Sequence, residues 1–121
     1  MWSPSWQFDE ATYARSASAS DNPDFVEVVL HSYRHRHGLV AGDPALASWE
    51  AALAQRPRIM VPTIAMDGLD DDVAAAGGSA DHAPLFGPAF SRTLLPGIGH
   101  NLPQEAPQAF ADAVLRLLEQ T

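Results

Sequence analysis

Leu94-Leu95-Pro96-Gly97-Ile98-Gly99-His100-Asn101-Leu102-Pro103-Gln104-Glu105-Ala106-Pro107 reads as the end of a strand, a turn, and the start of a helix. The apolar pair runs into Pro96-Gly97, a strong turn signal. His100 stands between Gly99 and Asn101 at the tip. Pro103 and Glu105 then open a final amphipathic helix, predicted over residues 104–120, with Phe110, Val114, Leu117 and Leu118 on its apolar face. The pattern puts an imidazole on a loop held by a rigid element on each side. Catalytic side chains are often carried this way.

Working outward, the upstream stretch Val61-Pro62-Thr63-Ile64-Ala65-Met66-Asp67-Gly68-Leu69-Asp70-Asp71-Asp72-Val73 has a related form. Residues 59–66 are apolar and β-branched, interrupted only by Pro62. Proline is poor inside a strand, so the regular strand is predicted over residues 63–66. A near-continuous apolar run suits a parallel strand buried on both faces. Residues 90–95 form the second predicted strand. Between the two, residues 67–79 read as an acidic loop containing an alanine run, and residues 82–86 as a helical turn. Two parallel strands would bring Asp71 and His100 to the same sheet edge, where α/β proteins build their sites.

Together these stretches resemble the C-terminal part of an α/β-hydrolase. In that family an apolar strand followed by G-x-x-D carries the triad acid, matched here by Gly68-Leu69-Asp70-Asp71. A later strand followed by Gly-His carries the triad histidine, matched by Gly99-His100. A helix with E-x-P near its start follows, matched by Glu105-Ala106-Pro107. The order acid then histidine agrees as well. The resemblance implies that His100 is a general base oriented by Asp71. Asp70 is the alternative acid, and Asp72 takes that place if the register slips.

The resemblance covers nearly the whole chain but only the second half of such an enzyme. The family's nucleophile sits in G-x-S-x-G, or is an aspartate in the epoxide hydrolase and dehalogenase branches. Neither motif occurs here. Ser79 follows Gly77-Gly78, but it lies after the acid and outside a strand-turn-helix context. The fold class implied is α/β, as a partial α/β-hydrolase fold. A helical lid over residues 1–57 would precede the last two parallel strands and the C-terminal helix in residues 58–121. The activity implied is hydrolysis of a small ester, epoxide or halide by the full enzyme, without a cofactor. This chain alone is expected to be inactive.

The first half reads as helices. One is predicted over residues 9–19, after Trp2, Trp6 and Phe8, aromatics that need a partner surface. Asn22 and Pro23 are good first residues for a second helix, with Asp24 and Glu27 near its positive end. Arg34, His35, Arg36 and His37 sit near its negative end, and Gly38 ends it. Phe25, Val28, Val29, Ser32 and Tyr33 share one face. In a third helix, Asp43 caps, Pro44 leads, and Leu46, Trp49, Ala52 and Leu53 form the stripe. The run His31-Ser32-Tyr33-Arg34 resembles the tyrosine-arginine pair in the lids of epoxide hydrolases and dehalogenases. The resemblance implies that the Tyr33 hydroxyl polarises the oxygen or halide of the substrate.

Composition limits the remaining classes. Fifteen acidic against seven basic residues give a net charge of −8 over 121 residues, which argues against a nucleic-acid partner. The chain has no cysteine, hence no disulfide framework or thiol chemistry. No apolar run approaches a membrane span, and no basic-then-apolar leader is visible, so a cytoplasmic location is expected. His31 and His35 have an i, i+4 spacing that zinc sites use, but no third ligand is evident on that face and no metal is expected. Two short parallel strands cannot cover themselves. A separate chain supplying the N-terminal half is therefore one partner to expect, and a small-molecule substrate of the full enzyme is the other. The alternative class is a non-catalytic helical module for binding or protein interaction, with an inherited hydrolase resemblance.

Overall fold

Two parallel strands form the only sheet among the described residues, β1 (Thr63–Gly68) and β2 (Phe90–Leu95). They pair in register from Thr63 opposite Phe90 to Gly68 opposite Leu95. The computed structural model describes residues 2–73 and 77–120, so the alanine run at 74–76 lies outside the described residues. β1 begins where Pro62 predicts and runs two residues beyond the expected end, through Asp67 and Gly68. Before Pro62 the pairing exists only as an isolated bridge, with Ile59 opposite Phe86. A proline has no N–H to donate, and the ladder resumes at Thr63, whose N–H donates to the Ala89 carbonyl.

The chain divides into two units, Gln7–Gln55 and the combination of Met1–Trp6 with Arg56–Thr121. In the helical unit, α1 (Glu10–Ala17) is capped by the Asp9 carboxylate, which accepts from the Thr12 N–H. The helix tightens into a 3₁₀ turn over Ser18–Asp21 instead of continuing to residue 19. α2 (Phe25–Arg36) starts later than Asn22-Pro23 suggests. The Asn22 side chain accepts from the Asp24 N–H and its carbonyl accepts from the Phe25 N–H, so both residues build a turn before the helix. The end of α2 is as expected: Gly38 N–H donates to the His35 carbonyl and Leu39 N–H to the Arg34 carbonyl, a Schellman pair. Asp43 caps a short 3₁₀ turn, Pro44–Leu46, which leads into α3 (Ala47–Ala54). No described residue of this unit is buried, and Val28, Leu46, Trp49 and Leu53 remain exposed.

In the other unit, a 3₁₀ turn over Ala80–Leu85 connects β1 to β2, close to the predicted helical turn. The final helix is split. α4 (Leu102–Glu105) is a single turn, and α5 (Pro107–Leu118) follows after a break at Ala106. A residue before proline is pushed out of the helical region, and Ala106 has φ −133° and ψ 59°. Among the described residues Leu102 and Ala113 are the buried apolar ones, a very small core for the apolar content of the chain. No helix among the described residues is long and apolar enough to cross a membrane.

Candidate active site

Both predicted loops leave the C-terminal edge of the sheet, and their backbones stay joined beyond it. Leu69 N–H donates to the Leu95 carbonyl at 3.0 Å and Asp70 N–H to the Ile98 carbonyl at 3.0 Å. This approach needs a glycine at position 68. A Cβ there would lie 2.2 Å from the Ile98 carbonyl oxygen, far inside van der Waals contact.

The approach carries the two side chains together. His100 Nδ1 is 3.0 Å from Asp71 Oδ2 and 3.2 Å from Oδ1. The second carboxylate oxygen also accepts the Val73 N–H at 2.7 Å, which fixes the rotamer of the acid. Asp71 is largely shielded, at 14% side-chain exposure, whereas His100 is open at 38%. A carboxylate only accepts, so the neutral ring carries its proton on Nδ1 and offers a lone pair at Nε2. An imidazole so held can take a proton from water or a hydroxyl. A cleft of about 170 Å³ opens beside the pair, with Asp67, Gly68, Arg92 and Leu102 in its wall.

The other expected residues have their own surroundings. Asp70 accepts a hydrogen bond from the Ser5 hydroxyl. Tyr33 is exposed on α2 in the helical unit. Ser79 is buried at 7% exposure and is engaged with Asp67, not poised as a nucleophile. His31 and His35 stack with centroids 6.4 Å apart, and His35 Nε2 lies 3.3 Å from Glu50 Oε1. Among the described residues no group of three or more histidine, aspartate or glutamate side chains could hold a metal ion.

Two groups of residues around the site were not anticipated. The first is Asp67, Ser79 and Arg92. The Asp67 carboxylate accepts from Ser79 Oγ at 2.7 Å and Arg92 Nε at 2.6 Å, and Arg92 Nη2 donates to the Gly77 carbonyl at 2.6 Å. Partial burial opposes the charge on Asp67, but the hydrogen bonds from Ser79 and Arg92 outweigh it and hold the carboxyl below the usual carboxylate range. These bonds tie down the far end of the loop that carries Asp71. One charged residue in each of two otherwise uncharged strands was the available signal.

The second group is the segment at residues 2–5. Trp2 is one of the aromatics that need a partner surface, and its indole meets the His100 ring edge-on, with centroids 5.4 Å apart and planes at 77°. Ser3 is buried beside the histidine loop.

The parallel pair with both loops on one edge fits a partial α/β fold. No family model matches the chain, and no curated protein matches it. Among solved structures, the chain is similar to the crystal structure of a candidate epoxide hydrolase from Klebsiella pneumoniae subsp. pneumoniae, at 40% identity and a TM-score of 0.89. The match covers 95% of this chain and 38% of that one. The chain is thus epoxide-hydrolase-like over nearly all its length, and spans well under half the length of the protein it matches.

Proposed function

We propose that this chain supplies the acid, the histidine and the substrate lid of an α/β-hydrolase that opens small epoxides. The supporting observation is the Asp71–His100 pair, 29 positions apart in sequence and 3.0 Å apart in space. It stands at the C-terminal ends of two parallel strands, where such sites form. The likeness to a candidate epoxide hydrolase favours epoxides over esters or halides.

In this reading the nucleophile, a carboxylate, comes from the part of the fold outside this sequence. Its oxygen attacks an epoxide carbon and the ring C–O bond breaks. The Tyr33 hydroxyl gives its proton to the released oxygen, and an ester to the enzyme remains. His100 Nε2 then takes a proton from water, and the hydroxide attacks the ester carbonyl. The diol leaves and the carboxylate is restored. The proton held by the imidazole returns to Tyr33 through solvent. Asp71 stabilises the imidazolium formed on the way.

The test is reconstitution. The 121-residue chain is mixed or co-expressed with the segment of the Klebsiella pneumoniae protein that lies outside the match. Diol formation from styrene oxide is expected in the mixture and in neither part alone, and His100→Ala should abolish it. Turnover by the 121-residue chain without the second segment, or turnover indifferent to His100→Ala, rejects the proposal.

A further inference from the structure

We propose that Ser3 and Glu105 are positioning residues for His100, and that the turn at residues 3–6 fixes the spacing between the histidine loop and the acid loop. This rests on the reading of His100 as the base.

Three successive backbone N–H groups bracket and include the histidine. Gly99 N–H donates to Glu105 Oε2 at 2.8 Å. His100 N–H donates to Ser3 Oγ at 3.0 Å and more weakly to the Trp2 carbonyl at 3.2 Å. Asn101 N–H donates to Glu105 Oε1 at 2.9 Å, with Ser3 Oγ at 3.3 Å. The two side chains are themselves joined, since the Ser3 hydroxyl donates to Glu105 Oε1 at 2.6 Å. The Asn101 side chain adds a bond to the same hydroxyl at 3.1 Å. Ser3 is only 6% exposed. A buried hydroxyl that gives one bond and shares its lone pairs among several donors is costly to replace, because each donor then loses its partner.

The same turn reaches the acid. Trp6 N–H donates to the Ser3 carbonyl at 3.2 Å, closing a turn with Pro4 in its second position. That turn directs the Ser5 hydroxyl to Asp70, the neighbour of Asp71. One short segment therefore bonds the histidine loop through Ser3 and the acid loop through Ser5. Gly99 admits it: a Cβ at that position would lie 2.5 Å from Ser3 Cα and 2.8 Å from Ser3 Oγ. Trp2 completes the arrangement by setting its indole edge-on against the imidazole.

The experiment reads the ring nitrogens of His100 by long-range ¹H–¹⁵N correlation in the ¹⁵N-labelled full chain. In the unmodified chain the neutral ring should carry its proton on Nδ1 in at least about tenfold excess. Ser3→Ala should reduce that excess at least threefold, while Ser3→Thr restores it. Gly99→Ala, which displaces the turn, should act like Ser3→Ala. Glu105→Gln, which keeps the side-chain shape, should give an intermediate ratio. Ser32→Ala in the helical unit is the control and should change nothing. An unaltered ratio in Ser3→Ala overturns the inference and leaves the Asp71–His100 pair standing. If Ser3→Ala loses its dispersed amide spectrum, Glu105→Gln decides, and an unaltered ratio there overturns the inference. A ring without Nδ1 preference in the unmodified chain, with the Gly99 and Asn101 amides still protected from exchange, instead rejects the pair itself and the inference with it.

Discussion

Arg92 Nε lies 2.6 Å from Asp67 Oδ2, and this ion pair joins β2 to the end of β1 at the base of the acid loop. Both side chains are mostly shielded, so the pair is bound more firmly than an exposed one. Removing one partner strands the other, and Asp67→Asn should cost about 1–3 kcal/mol. The measurement is denaturant unfolding at fixed chain concentration.

The same carboxyl predicts a pH dependence. The bonds from Ser79 and Arg92 hold its pKa in the folded chain below the ordinary carboxylate range. A depressed pKa contributes stability that is fully present above the unfolded value and is lost as pH falls through the folded one. Stability should hold from neutral pH to about pH 5, then decline on acidification below the ordinary carboxylate range. Asp67→Asn should flatten part of that decline. An acid limb of the same steepness in both chains would mean that Asp67 does not contribute to it.

Asp70 and Asp71 can be told apart in the reconstituted enzyme. Asp71→Asn replaces the acceptor of the His100 proton and should lower kcat by about 10²–10⁴-fold. Asp70→Asn keeps an oxygen for Ser5 and should lower it less than about tenfold, since the acid bonded to the ring is Asp71. Equal losses would point to a shared structural role.

Gly68→Ala is a steric test of the same geometry. The new methyl would meet the Ile98 carbonyl at 2.2 Å and force the two loops apart. The expected loss is about 1–3 kcal/mol, the usual range for overpacking. Dissociation of the Asp71–His100 contact should accompany it, seen in the ring nitrogens of His100. Unchanged stability would require the loops to be looser than their hydrogen bonds indicate.

Exposed apolar surface predicts self-association. Trp49, Leu53, Leu39 and Leu118 are each at least 66% exposed, and two strands leave sheet edges unpaired. The isolated chain should bind a hydrophobic dye, elute above its 13.0 kDa mass, and show a melting temperature that rises with concentration. A monomer with a sharp, concentration-independent transition would contradict this.

The strands are legible because Pro62 and the Pro96-Gly97 turn delimit two short runs, and a parallel pairing of those runs brings Asp71 to His100. The break at Ala106 was also written in the sequence, as a proline one residue further on, but Pro103 drew attention as the helix start. Ser3 left no such mark. Its partners are 97 to 102 positions away, and a serine in a short polar stretch carries no periodicity to announce burial. The same holds for Ser79, which local context marks only as part of a glycine-rich turn. Asn22 and Pro23 show a different limit: residues that begin helices also build turns, and the chain used them for the latter.

The bond between Ser3 and Glu105 spans 102 positions, nearly the whole chain, and this sets when the site can exist. Ser3 leaves the ribosome first and waits for Glu105. At bacterial-to-eukaryotic elongation rates of about 5–20 residues per second, that interval is roughly 5–20 s. Until then the bonds from Glu105 to the Gly99 and Asn101 N–H groups are missing from the histidine loop. A nascent chain stalled before position 105 would carry both His100 and Asp71 without the part of the histidine loop's support that Glu105 supplies.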